Sequence, residues 1–103
     1  MKILSIGMMV CDVLIRPVPD DILGRDSVAI ERPTISCGGD ALNVALGLAK
    51  LGTDVVLVGR IGDDANGAFI RNTCIDFNVD TKGLIIDNDC ATATSFALID
   101  SMG

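Results

Sequence analysis

An apolar helix that stops at one glycine and runs straight into an apolar strand leaves a chain few ways to fold. Residues 40–51 ("DALNVALGLAKL") carry helical periodicity, and Gly52 supplies the stop. Directly afterwards, "DVVLVGRIG" (54–62) is a near-continuous apolar run, the pattern of a strand buried on both faces of a parallel sheet. Asp63 or Asp64 then caps a second predicted helix, about 64–77, whose Phe69, Ile70, Cys74, Ile75 and Phe77 are spaced for one inner face. Strand alternating with helix is the signature of an α/β fold.

The flanks complete that order. Residues 2–10 read as a buried strand, with Asp12 following its end, and "RPVPDDILG" (16–24) reads as loop, its Asp20 and Asp21 solvated. The segment 26–36 shows loose β-branched alternation broken by Pro33, which demotes it to edge strands of a flap outside the main sheet. Residues 83–87 and 92–100 are further short strands. The terminal "DSMG" is turn chemistry, and a turn after a strand normally leads to a returning one, so the chain looks truncated.

Composition narrows the function classes. Eight basic and 14 acidic residues give a net charge of −6, and no Lys/Arg cluster exists, which argues against a nucleic-acid partner. No apolar run approaches the ~18 residues of a membrane span, and Asp12 breaks the apolar N-terminus, so a cytoplasmic protein without a membrane partner is expected. Histidine is absent, which removes Ser-His-Asp and Cys-His catalysis from these residues. Cysteines at 11, 37, 74 and 90 lack C-x-x-C spacing; buried reduced thiols are expected, and no metal site.

The polar groups of the first helix gather in one place. At roughly 100° per residue, Asn43, Gly47 and Lys50 fall about 60°, 20° and 80° to one side of Asp40. A largely buried helix with a narrow polar seam is implied. Gly38 and Gly39 precede it, so backbone can approach a ligand closely. Asn43 both donates and accepts, Asp40 only accepts, and Asp12 on the neighbouring strand adds a second acceptor. Such a set suits a polyhydroxylated molecule. A plain strand-to-helix turn with Asp40 as a cap explains the same spacing. A dinucleotide fold is disfavoured, because the glycine fingerprint does not follow the first strand. A phosphate is disfavoured by the charge of Asp40.

"GMMVCDVLIRPV", "CGGDALNVALGLAKLG" and "VGRIGDDANGAFI", in that order, resemble the N-terminal part of the ribokinase-like (PfkB) carbohydrate kinases. Gly38, Gly39 and Asn43 stand in register with that family's first signature, and Gly62, Asp63, Asp64 and Gly67 with its next landmark. The resemblance implies a three-layer α/β sandwich with a small β lid from residues about 26–37 and 92–100, residues 1–103 being the N-terminal portion of a single kinase domain. It implies that Asp12, Gly38, Gly39, Asp40 and Asn43 bind the hydroxyls of a sugar or nucleoside, and that a homo-oligomer forms through the lid or exposed sheet edges.

The family's reaction passes the ATP γ-phosphoryl group to a primary hydroxyl with Mg²⁺. Its base, anion hole and nucleotide site lie in C-terminal motifs that do not occur in residues 1–103. The resemblance therefore implies no catalytic residue, no bound cofactor and no activity from this stretch alone. Leu42 and Val10 depart from the family's usual residues and leave the sugar unnamed. A stand-alone, non-catalytic binding or dimerisation module derived from such a kinase is the alternative.

Overall fold

The computed structural model describes residues 1–103 as six strands and two α-helices, with one 3-10 turn at Ile22–Gly24. In chain order these are β1 (Lys2–Ile6), β2 (Val10–Ile15), β3 (Thr34–Gly38), α1 (Asp40–Lys50), β4 (Asp54–Gly62), α2 (Ala65–Asp76), β5 (Asp80–Asp87) and β6 (Thr94–Leu98). They form two sheets. The main one is wholly parallel, ordered β1-β4-β5, with Lys2 beside Asp54 and Ile6 beside Val58. The smaller one is ordered β3-β2-β6, antiparallel on the β3 side and parallel on the β6 side. This is the expected α/β fold with a lid of the ribokinase-like kind. The lid projects from the body: a radius of gyration of 16.0 Å and extents of 51 × 32 × 19 Å exceed the ~13 Å radius of a compact chain this long.

Two expectations need correction. The apolar run 2–10 is not one strand. The chain leaves the main sheet after Ile6 and begins the central strand of the lid at Val10. Gly7 makes the break, with φ at 152° and its Cα close to α1, where an added Cβ would lie 3.2 Å from that of Ala41. Asp12 therefore sits within a lid strand rather than after a sheet strand. The lid strands are also shorter than 26–37 and 92–100: residues 26–33 form none, and only Thr34–Gly38 and Thr94–Leu98 pair. Pro33 explains the limit, since it has no N–H to give a ladder. β3 is an edge strand, as its sequence requires.

Both helices cover the same face of the main sheet. Ala41, Leu42 and Ala45 of α1 and Ile70 and Cys74 of α2 join Val55, Leu57 and Ile61 of β4 in one buried cluster, with Met9, Cys11 and Val79. At ~25 cal/mol per Å² of apolar surface removed from water, this cluster is what fixes α1 against β4. Alternation puts Leu4 and Ile6 on the other face, and Ile85 beside Arg60 joins them. Those three side chains are at least half exposed.

The helix ends behave as predicted. Gly52 turns α1 off with φ at 83°, while the Thr53 amide bonds back to the Leu48 carbonyl. Asp64 caps α2 by accepting from the Gly67 amide at 2.8 Å. α1 is less buried than its sequence suggests: Asp40, Asn43, Gly47 and Lys50 are exposed together, but Val44 is exposed beside them. Lys50 lies 5.1 Å from the centre of the Phe77 ring, a cation–π contact that links the two helices.

Candidate functional site

The candidate site forms where the lid meets α1. β3 ends at Gly38, and α1 begins at Asp40, so a single residue, Gly39, turns the chain from strand to helix. Gly39 has φ at 96°, which disfavours a side chain, and an added Cβ would lie 2.5 Å from the Met8 carbonyl oxygen. Glycine is required there by conformation and by space alike. As N-cap it offers no side chain, and the first intrahelical bond runs from the Asn43 amide to its carbonyl at 2.9 Å. No side chain caps the opening amides of α1. The helix start is held instead from below, by the buried Ser5 hydroxyl donating to the Ala41 carbonyl at 2.8 Å.

Gly38 explains the placement of Asp12. A Cβ built on Gly38 would collide with the Asp12 carboxylate, so that carboxylate rests directly over the glycine backbone at the helix mouth. Only a residue without a side chain leaves room for it. The two belong to adjacent, paired strands, Val10 facing Gly38 and Asp12 facing Ser36. Asp40 and Asn43, three residues apart at the start of α1, are exposed beside them. Asp12 is half-buried and Gly38 buried. The structure thus packs Asp12 on Gly38, sets Gly39 as the turn, and presents Asp40 and Asn43 on the exposed first turn.

The mouth is an open shelf. The three surface depressions of the chain lie elsewhere, two of them beside Arg16 and Asp100 and the third beside Asp63 and Arg71. Two carboxylates and a carboxamide line the shelf, and neither the lid strands nor the first two turns of α1 carry Lys or Arg. Acceptors beside free backbone donors match hydroxyl groups, and the two carboxylates repel phosphate. No group of three or more His, Cys, Asp or Glu side chains is placed to hold a metal ion. No chemical step is assigned to the residues of the shelf.

A second constellation went unseen in the sequence. The Asp64 carboxylate that caps α2 also accepts from the Thr92 hydroxyl at 2.6 Å and the Thr92 amide at 2.9 Å. Those bonds hold its pKa below the usual carboxylate range, the Thr92 hydroxyl contributing most. The Gly62 amide donates to the same hydroxyl oxygen at 2.9 Å, and the Asn66 amide to the Thr94 hydroxyl at 3.0 Å. Together they fasten the start of β6 to the start of α2. The helix cap was legible from Asp-Asp before an apolar period; its partner across the fold had no local signal. Of the cysteines, Cys11 and Cys74 are buried and Cys37 partly so, but Cys90 is exposed, contrary to expectation.

Known proteins share this fold. The profile of the pfkB family carbohydrate kinase matches residues 1–103. An ATP-dependent ribose-1-phosphate kinase of Halopiger xanaduensis is 37% identical over 106 residues, spanning 99% of this chain and 34% of that protein. Among solved structures, a fructokinase with bound ATP from Xylella fastidiosa superposes with a TM-score of 0.77 at 29% identity, over 92% of this chain and 26% of that one. The aminoimidazole riboside kinase of Salmonella enterica, complexed with aminoimidazole riboside and an ATP analog, gives 0.75 at 27%, over 93% and 28%. The chain spans about a third or less of the length of each.

Proposed function

The chain belongs to the pfkB family of carbohydrate kinases, and we propose that residues 1–103 are the N-terminal, sugar-binding portion of a single kinase domain. The complete protein transfers the γ-phosphoryl group of ATP to a primary hydroxyl of a sugar or nucleoside in the cytoplasm, with Mg²⁺ as the metal. The fructokinase and the aminoimidazole riboside kinase to which the chain is similar support that substrate range. Nucleic acid and membrane are not partners in this reading.

The observation that carries it is Asp12 seated on Gly38 at an uncapped helix start. Asp12 and Asp40 accept from substrate hydroxyls, Asn43 both gives and accepts, and Gly38 and Gly39 let the ligand approach the backbone. These residues bind and orient; the base, the donors for the developing charge and the nucleotide site come from elsewhere in the protein. The 103-residue stretch on its own transfers no phosphoryl group. The test is phosphorylation of a sugar and nucleoside panel by the full-length protein, with Asp12→Ala and Asn43→Ala beside it. Both variants lose most of the activity; full activity in both sinks the assigned site.

The lid also serves as a self-association surface. Val13 stands between Ile35 and Phe96 in one row, and the two outer side chains are more than half exposed. Ile15 and Leu98 extend the strip. An apolar row across three strands, open to water, suits a second copy of itself. A stand-alone dimerisation module would use this surface too, and an intact mass of the native gene product equal to that of 103 residues would favour that reading.

A further inference from the structure

The polar face of the lid continues beyond Asp12. Strand register places Asp12 opposite Ser36 on one side and Ser95 on the other, so the three form a transverse row, Ser36–Asp12–Ser95. Side chains alternate along a strand, and the neighbouring row, Cys37–Cys11–Thr94, belongs to the opposite face. That opposite face is tied to the body: Cys11 is fully buried in the core, and the Cys37 thiol donates to the Thr73 hydroxyl of α2. The serines therefore share the face on which the Asp12 carboxylate lies over Gly38, the face that opens at the mouth of α1.

The row is narrow, and its hydroxyls are free to bind. Both serines are exposed, and neither hydroxyl has a hydrogen-bond partner within the protein. The neighbouring Thr92 and Thr94 hydroxyls, by contrast, are both engaged. The next row on the same face, Thr34–Leu14–Ala97, has an aliphatic centre, so the polar strip is one row deep. Three adjacent strands span roughly 10 Å at ~4.8 Å per gap, the width of a monosaccharide with its hydroxyls. No Lys or Arg lies within the three strands, so the strip offers one negative charge and two neutral hydroxyls.

We infer that Ser36 and Ser95, flanking Asp12 across the lid, are specificity-determining contacts that select an uncharged, hydroxyl-bearing substrate over a sugar phosphate or sugar acid. This rests on the kinase reading above. Asp12 orients the ligand, and the serine hydroxyls, which can donate as well as accept, recognise hydroxyls to either side. A phosphate or carboxylate at that strip would face Asp12, and no Lys or Arg of the three strands stands there to offset it.

The experiment is steady-state kinetics of the full-length enzyme with neutral sugars and a nucleoside, against ribose 1-phosphate and a ketodeoxy acid. Ser36→Ala and Ser95→Ala are run beside Ser36→Thr and Ser95→Thr, with thermal melting to confirm folding. The expected result is preference for a neutral substrate, with KM raised about threefold to tenfold in each Ala variant and kcat within about twofold. The Thr variants, which keep the hydroxyl, recover most of the KM. Unchanged KM in both Ala variants of an active enzyme overturns the inference and leaves the kinase reading standing. So does a best substrate that carries a phosphate or carboxylate. No phosphoryl transfer to any compound of the panel removes the kinase reading itself, and this inference with it.

Discussion

The Thr92 hydroxyl donates to the Asp64 carboxylate at 2.6 Å, joining the cap of α2 to a point two residues before the lid strand β6. One carboxylate thus closes a helix and anchors a strand. Its pKa is lowered in the fold, chiefly by that hydroxyl and then by the Thr92 and Gly67 amides. Protonation therefore favours the unfolded chain. The stabilisation is fully present above the unfolded Asp value near ~3.9 and is lost as pH falls through the folded pKa.

Asp64→Asn is accordingly expected to lower the melting temperature at neutral pH and to flatten the acid limb of the stability curve. Urea midpoints between pH 7 and pH 3 check this. Asp87, also lowered, by the Asp89 amide first and with Arg60 contributing, remains in the variant and keeps part of the acid dependence. A variant whose midpoints track those of the parent at every pH would contradict the assignment.

Gly38 and Gly39 are adjacent, yet their substitutions should separate binding from folding. A methyl on Gly38 meets the Asp12 carboxylate, the movable end of a side chain. Gly38→Ala is therefore expected to fold, with Asp12 displaced and substrate KM raised at least tenfold in the full-length enzyme. A methyl on Gly39 meets the Met8 backbone and must also hold a positive φ. Gly39→Ala should cost on the order of 1–3 kcal/mol of stability, read from denaturant unfolding.

Leu42 is fully buried between α1 and the sheet, and its bulk fills the core directly behind the helix mouth. Leu42→Ala should destabilise by about 2–5 kcal/mol, the range for a large side chain removed from a packed core. A loss under ~1 kcal/mol by chemical denaturation would mean that α1 is not held by this contact.

The four thiols should react in a set order. Burial raises the pKa of Cys74 to about 11 and that of Cys11 and Cys37 above the usual thiol value, Cys37 being partly offset by its bond to Thr73. Cys90 is exposed. Iodoacetamide at pH 8 is expected to label Cys90 alone in the native protein and all four after denaturation, as peptide mass mapping would record.

What the sequence disclosed depended on how local the signal was. α1, β4 and α2 were each legible because a full period of apolar residues is bounded by a stop at Gly52 or a cap at Asp64. The glycine pair and Asn43 were legible as a helix mouth for the same reason. The split of residues 2–10 was not, because Gly7 breaks a run that is apolar on both sides, and only sheet membership distinguishes its halves. β-branched residues at 26–32 promised a strand that finds no partner. Ser36 and Ser95 join Asp12 only through strand register, which no periodicity within either segment encodes.

The Gly7–Met9 segment that divides β1 from β2 has a mechanical consequence. The lid is joined to the body at its root: by those three residues, by Gly39 into α1, by Cys11 in the core, by the Cys37–Thr73 and Asn66–Thr94 bonds to α2, and by the Asp64–Thr92 bond beside β6. Its far end is a lever arm without a strut. A tilt about that root would swing Ser36, Asp12 and Ser95 through the same arc while Asp40 and Asn43 stay with the body, so the shape of the proposed site and the lid angle become one coordinate.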